Sequence, residues 1–208
     1  MITPNHGRQA LVEAAIRSIA TGGAARTHPK DLTENLGLSK SLVNFHFGNR
    51  DGLMAEAIAT SHERFVDLLW SAALSAGEDP VARLSAWIDE LLDWTAANPG
   101  LAAVIAYPDK ASSLQGRFDD ATQARIEAAE ARNLTNLRTL VTAARAAQRP
   151  GVGDETVGDV TNVVAWLVLG ASVWVSGDHI WTSTPGTDPR TTTTRQHLHD
   201  YVLQALAY

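Results

Sequence analysis

Apolar positions along this 208-residue chain recur at three- and four-residue steps and nowhere alternate over a sustained stretch. That spacing predicts an all-α protein of about nine helices. The first helix covers roughly Arg8 to Thr21, with Ala15, Ile16 and Ile19 as its apolar stripe, extended by Leu11 and Val12, and Gly22-Gly23 stop it. Pro29 suits the first turn of a short second helix, PKDLTENL, and Gly37 can take the left-handed conformation that closes it. Ser39 is a natural N-cap for the next short helix, SKSLVNFHF. Gly48 and Asn49 break the chain again, and Asn49 caps a long fourth helix from Arg50 to about Ser75, facing inward with Leu53, Ala57, Ile58, Phe65, Leu68 and Leu69.

A turn over Gly77 to Pro80 leads to a fifth helix, Val81 to Ala97, ended by Asn98-Pro99-Gly100. LAAVIAY forms a short sixth helix before Pro108. The seventh runs roughly from Arg117 to Gln148 with an Ala-rich face: Ala121, Ala124, Ala128 and Ala131, then Leu134, Leu137 and Val141. The eighth, Glu155 to about Trp181, is the most apolar segment, and Val163, Leu167, Gly170 and Val173-Trp174 are too apolar to leave in water, so a second copy is a fitting cover. After the loop TSTPGTDPRTTTT, Thr193 and Gln196 form a T-x-x-Q capping box for a ninth helix.

Composition narrows the function classes. Apolar residues make up 45% and charged residues 19%, ordinary for a folded globular protein. The absence of cysteine excludes a disulfide scaffold, a thiolate metal site and a cysteine nucleophile. The apolar run Val163–Val175 falls short of the roughly 20 residues a bilayer requires, and no secretory signal pattern opens the chain, so a cytoplasmic location with no membrane partner is expected. The net charge of −6 hides an asymmetry: the first fifty residues hold six basic against three acidic side chains, the rest 11 against 20. A basic head on an acidic body suggests that one end meets a polyanion.

The stretch from Thr27 to Leu53 carries the chemistry. A short helix, a Gly turn, a second short helix opened by serine and a new cap are the layout of a helix-turn-helix, whose second helix enters the major groove. Leu32, Leu36, Leu38, Val43 and Phe47 are the packing positions, while Ser39, Lys40, Ser41 and Asn44 are free to meet phosphates and base edges. With its Phe45-His46-Phe47, Gly48-Asn49, Arg50, Asp51 and Leu53, the segment GLSKSLVNFHFGNRDGLMAEAI, Gly37 to Ile58, resembles the TetR family of transcriptional regulators, with motif support over about residues 8–60.

That resemblance implies an N-terminal three-helix helix-turn-helix DNA-binding head, residues 1–48, and a larger helical ligand-binding and dimerisation body, residues 49–208. It implies a homodimer on a palindromic double-stranded DNA operator, released by a small-molecule ligand. Thr27, His28, Lys30, Ser39, Lys40, Ser41, Asn44, Phe45 and Arg50 are the expected DNA contacts, Arg50 as a phosphate clamp. His28 stands where many relatives carry a capping threonine, so Thr27 is the substitute cap. For a small hydrophobic or aromatic ligand, Trp87, Leu91, Trp94, Tyr107, Asn133, Leu137, Asn162 and Trp166 are the expected lining. No cofactor, metal site or catalytic constellation is expected: His62-Glu63 lacks a second histidine at zinc-protease spacing, and His197 and His199 face different directions. The rival reading is a helical ligand- or partner-binding protein with a degenerate DNA-binding head.

Overall fold

The computed structural model describes residues 4–106, 118–151, 156–176 and 192–207. Among these, nine α-helices and no strand are found: α1 (Pro4–Gly22), α2 (Pro29–Asn35), α3 (Ser41–Phe47), α4 (Arg50–Ser75), α5 (Pro80–Ala97), α6 (Pro99–Ala106), α7 (Asp120–Gln148), α8 (Val157–Ser176) and α9 (Thr192–Leu206). The all-α reading holds. Local chemistry explains most boundaries. Gly37 at φ 64° closes α2, with the Leu38 N–H donating to the Thr33 carbonyl, and the Asn49 side chain caps α4 by accepting the Gly52 N–H at 2.9 Å. A 3-10 turn over Ala24–Arg26, which the apolar spacing did not mark, fills the gap before α2. Asn98-Pro99-Gly100 opens α6 as well as ending α5, since the Asn98 carbonyl accepts the N–H groups of Leu101 and Ala102.

The chain packs as two units. The first comprises residues 1–64 and 97–129 and the second residues 65–96 and 130–208, so α4 and α7 contribute to both. In the first unit Leu11, Ala15 and Ile19 of α1 meet a core that includes Val43, Leu53, Met54, Ile58 and Leu101, all buried, and α6 packs against α1. In the second, Leu69, Leu84, Trp87, Ile88, Leu92, Leu137, Val141, Val164 and Leu206 are buried, and α8 packs on α9.

Three face assignments are corrected. On α7 the alanines at 121, 124, 128 and 131 are exposed, and burial falls on Ala129, Leu137, Leu140, Val141, Ala144 and Arg145. Alanine gains too little from burial to mark a face. Leu68 of α4 and Leu134 of α7, both placed inward by periodicity, are exposed. On α8 the buried row is Val157, Val160, Val164 and Val168, leaving Val163, Trp166 and Leu169 on an exposed face. Tyr107 and Trp181 lie outside the described residues, as do the side chains of Val173, Trp174 and Thr193. Among those described, no helix is long and apolar enough to cross a membrane.

Candidate nucleic-acid interface

The reading helix is held from one side and open on the other. Val43 is buried, and Leu42 and Phe47 are half-buried. On the opposite face Lys40, Ser41, Asn44 and Phe45 are all exposed, at steps of one, three and one residues, which places them along one side of a helix. Phe45 exposes 76% of its surface, a large apolar side chain in water whose ring meets that of His46 edge-on at 4.8 Å. Just before the helix Ser39 turns its hydroxyl onto Ser41, accepting the Ser41 N–H at 3.3 Å and sharing a 2.8 Å hydrogen bond with its hydroxyl. Ser39 therefore does the capping expected of it, although regular helical structure starts at Ser41. His28 and Lys30 are exposed at the start of α2; His28 occupies the N-cap position without a side-chain cap, and Lys30 has only a loose 3.9 Å pairing with Glu34.

Two expected contacts point elsewhere. Thr27 is 0% exposed: its hydroxyl donates to the Gly23 carbonyl at 3.1 Å and lies 3.0 Å from the Ser18 hydroxyl. It neither caps α2 nor faces outward. Arg50 is turned back onto the same corner, Nε donating to the Thr27 carbonyl at 3.1 Å and Nη2 to the Ala24 carbonyl, with Nη1 on Asp51. The Ala24 carbonyl, which also accepts the Thr27 N–H, and the Thr27 carbonyl capture the guanidinium. Arg50 is thus a strut between α4 and the turn preceding α2 in this structure, which holds no DNA.

Sequence comparison shows what this head is similar to. Residues 11–57 match the bacterial regulatory proteins of the tetR family. The fold extends the likeness over nearly the whole chain. PfmR, a TetR family regulator from Thermus thermophilus, has a TM-score of 0.61 at 18% identity, covering 93% of this chain and 97% of its own. Residues 11–57 are thus similar to the DNA-binding head of the TetR family, and the chain shares the fold of solved regulators of that family. FadR from Bacillus subtilis, solved in complex with stearoyl-CoA, has a TM-score of 0.61 at 15% identity over 95% and 96% of the two chains. A regulator from Saccharomonospora viridis, solved in complex with choline, reaches 0.70 at 18% identity over 95% and 96%. No curated protein matches the chain in sequence.

The support behind this TetR-like head was not legible in the sequence. Arg8 of α1 sits 5.3 Å from the centre of the Phe47 ring and pairs with Glu56 of α4 at 3.2 Å, joining α1, α3 and α4. Arg64 pairs with Glu13, and its guanidinium holds the Glu13 carboxyl below the usual carboxylate range. Arg125, at the start of α7, reaches Glu56 at 3.0 Å and Glu63 at 2.8 Å, and these carboxylates push its guanidinium pKa up. The partners lie tens of residues apart, so no local pattern announces them. A cavity of about 440 Å³ lies among these ion-paired side chains, with His6 and Gln9 on its edge.

His62 of α4 is buried, and desolvation lowers its pKa below 6.5 against a smaller opposing pull from Glu63. The unfolded chain takes up this proton first, so stability is lost as the pH falls through the unfolded value of about 6.5. The thermal midpoint should hold steady from pH 8 to 7 and decline below 6.5, and His62→Gln should flatten that decline. Glu13 loosens only near or below pH 4.5, a separate window. An equally steep fall in the His62→Gln protein would show that other groups set the acid limit.

The ligand-lining candidates divide. Trp87, Leu91 and Leu137 are buried, Trp94 is half-buried with its ring centre 4.3 Å from that of Phe65, and Asn133 is half-buried. Asn162 is exposed and Trp166 is 71% exposed, on the outer side of α8, so neither lines an interior of the chain. The period of α8 was right but its phase was not: the β-branched valines, not the tryptophan, took the core.

Proposed function

We propose that this chain is a ligand-responsive repressor of the TetR family, with residues 1–48 as its DNA-binding domain and residues 49–208 as its ligand-binding and dimerisation domain. The observation that carries the reading is the exposed row on α3: a cation, a hydroxyl, an amide and an exposed phenyl ring on one face. Lys40 meets phosphates, Ser39 and Ser41 supply short hydroxyls, Asn44 reads a base edge, and Phe45 lies against the sugar–phosphate backbone or a thymine methyl group. A second copy covers the exposed Val163, Trp166 and Leu169 face of α8, and the two heads then meet the half-sites of a near-palindrome. Neighbouring structures hold choline or stearoyl-CoA, which supports a ligand-binding body without fixing the ligand. Release requires the ligand to favour the DNA-incompetent state; moving its population from 1:99 to 99:1 takes about 5.5 kcal/mol of differential affinity.

Selection of sites from random double-stranded DNA at physiological salt tests the reading, and a recovered palindrome is the expected result. On that site Lys40→Ala should weaken binding to all sequences alike and reduce the salt slope by about 1. Asn44→Ala should instead relax one base position per half-site, at about 1–3 kcal/mol. An unchanged salt slope removes Lys40 from the phosphate contacts, and an unchanged preference removes Asn44 from the base contacts. The inward turn of Thr27 and Arg50 takes two groups from the expected contact set, which favours the rival reading of a ligand- or partner-binding protein with a degenerate head. A folded dimer that enriches no DNA site would establish that rival.

A further inference from the structure

Among the described residues of the second unit, Arg145 is the only buried side chain with a fixed charge. It is 3% exposed, in the last turn of α7, behind the buried Leu140, Val141 and Ala144. Its Nε and Nη1 atoms are buried and have no hydrogen-bond partner, and no described carboxylate pairs with it. Those two nitrogens carry three N–H donors. A guanidinium does not discharge itself by losing its proton. An unpaired buried cation is therefore a standing cost to the fold, and it makes sense where some state of the protein supplies the missing anion.

We propose that Arg145 receives the carboxylate of a small organic monoacid with an apolar body, the effector of the regulator described above. This rests on the ligand-responsive reading and narrows it to a chemical class. A single guanidinium balances a single negative charge, which favours a carboxylate over a dianionic phosphate, and planar carboxylates accept parallel N–H bonds from arginine. Being 97% covered by its own chain, Arg145 is closed to the acidic surface of another protein. The row continues the argument: Asn133, Leu137, Val141 and Arg145 follow one another at four-residue steps along α7, polar at both ends and apolar between, over about 18 Å. Asn133 Oδ1 is likewise buried without a partner, as is Trp87 Nε1 on α5 in the same unit. The acid end goes to Arg145 and the apolar body follows Val141 and Leu137.

The test is direct binding to the purified full-length protein by calorimetry and thermal shift at pH 7.5. The probes are hexanoate, octanoate, decanoate and 3-phenylpropanoate, each beside its methyl ester, with monooctyl phosphate as the competing anion. At least one acid should bind roughly 10- to 100-fold more tightly than its ester, the range expected for charge-assisted hydrogen bonds. Arg145→Met should bring acid and ester within about threefold, while Arg145→Lys keeps part of the preference. If Arg145→Met does not fold, the acid–ester comparison on the unaltered protein still decides. Equal binding of acid and ester, tighter binding of octyl phosphate, an acid preference that survives Arg145→Met, or no binding by any of the acids would each overturn the proposal. Acids that bind without releasing DNA would leave the Arg145 site standing and overturn only the repressor-release reading.

Discussion

Gly52→Val is expected to lower affinity for the selected DNA site about 100-fold or more while the body stays folded and dimeric. A Cβ at position 52 would lie 2.1 Å from the Phe47 carbonyl oxygen and 3.2 Å from its carbonyl carbon. These are backbone atoms at the last residue of the reading helix, so no side-chain rotation relieves the clash. The end of α3 must retreat by on the order of 1 Å to restore ordinary contact. Lys40, Asn44 and Phe45 move with it. One good base contact is worth about 1–3 kcal/mol, so misplacing a base contact and a phosphate contact together reaches two orders of magnitude. Fluorescence anisotropy on the selected site, with sedimentation and far-ultraviolet dichroism as controls, measures this. Unchanged affinity would mean that α3 is not the reading element or that the junction between α3 and α4 yields freely.

Gly100→Ala should lower the thermal midpoint by about 5–10 °C, against the direction that helix propensity gives. Alanine in a helix is favoured over glycine by about 1 kcal/mol, so an unhindered replacement in α6 would stabilise. Here the added Cβ would sit 1.9 Å from the Ile19 carbonyl oxygen and 2.8 Å from the Gly23 nitrogen, where α6 begins against the end of α1. Overpacking of this kind costs about 1–3 kcal/mol or more, and for a chain of this size each kcal/mol is worth about 2–4 °C. Gly158→Ala in α8, where a Cβ meets nothing within 4 Å, is the matched control and should leave the midpoint unchanged or raise it. A rise for both proteins would show that α1 and α6 do not approach so closely in solution.

The two glycines mark where legibility ended. As letters, Gly52 and Gly100 are poor helix residues near helix starts; their reason is a backbone oxygen brought against each by the fold. The head was nevertheless readable because its determinants are local. Gly37, Ser39 and Asn49 each make their turn or cap with residues at most five positions away, so the order of types is enough to place them. The span of α4 from Arg50 to Ser75 was read from the chain for the same reason.

What depended on distant partners was not readable. Arg50 looks like a surface cation until the carbonyls of Ala24 and Thr27, 26 and 23 residues earlier, come within reach. Thr27 looks like a cap until Ser18 and Gly23 claim its hydroxyl. In the body the sequence alone determined helices and their apolar content, but not their phase. On α7 an alanine face and a leucine–valine face compete within one period, and only packing decides between them. On α8 every side is apolar enough to be buried, so the hydrophobic effect, which has no direction of its own, could not tell Val164 from Trp166. The sequence by itself thus determined that the chain is helical and that its head has the layout of a helix-turn-helix. The tertiary structure decided which of that head's residues face outward, and it alone placed an unpaired arginine inside the body, because burial and pairing depend on contacts between segments far apart in the chain.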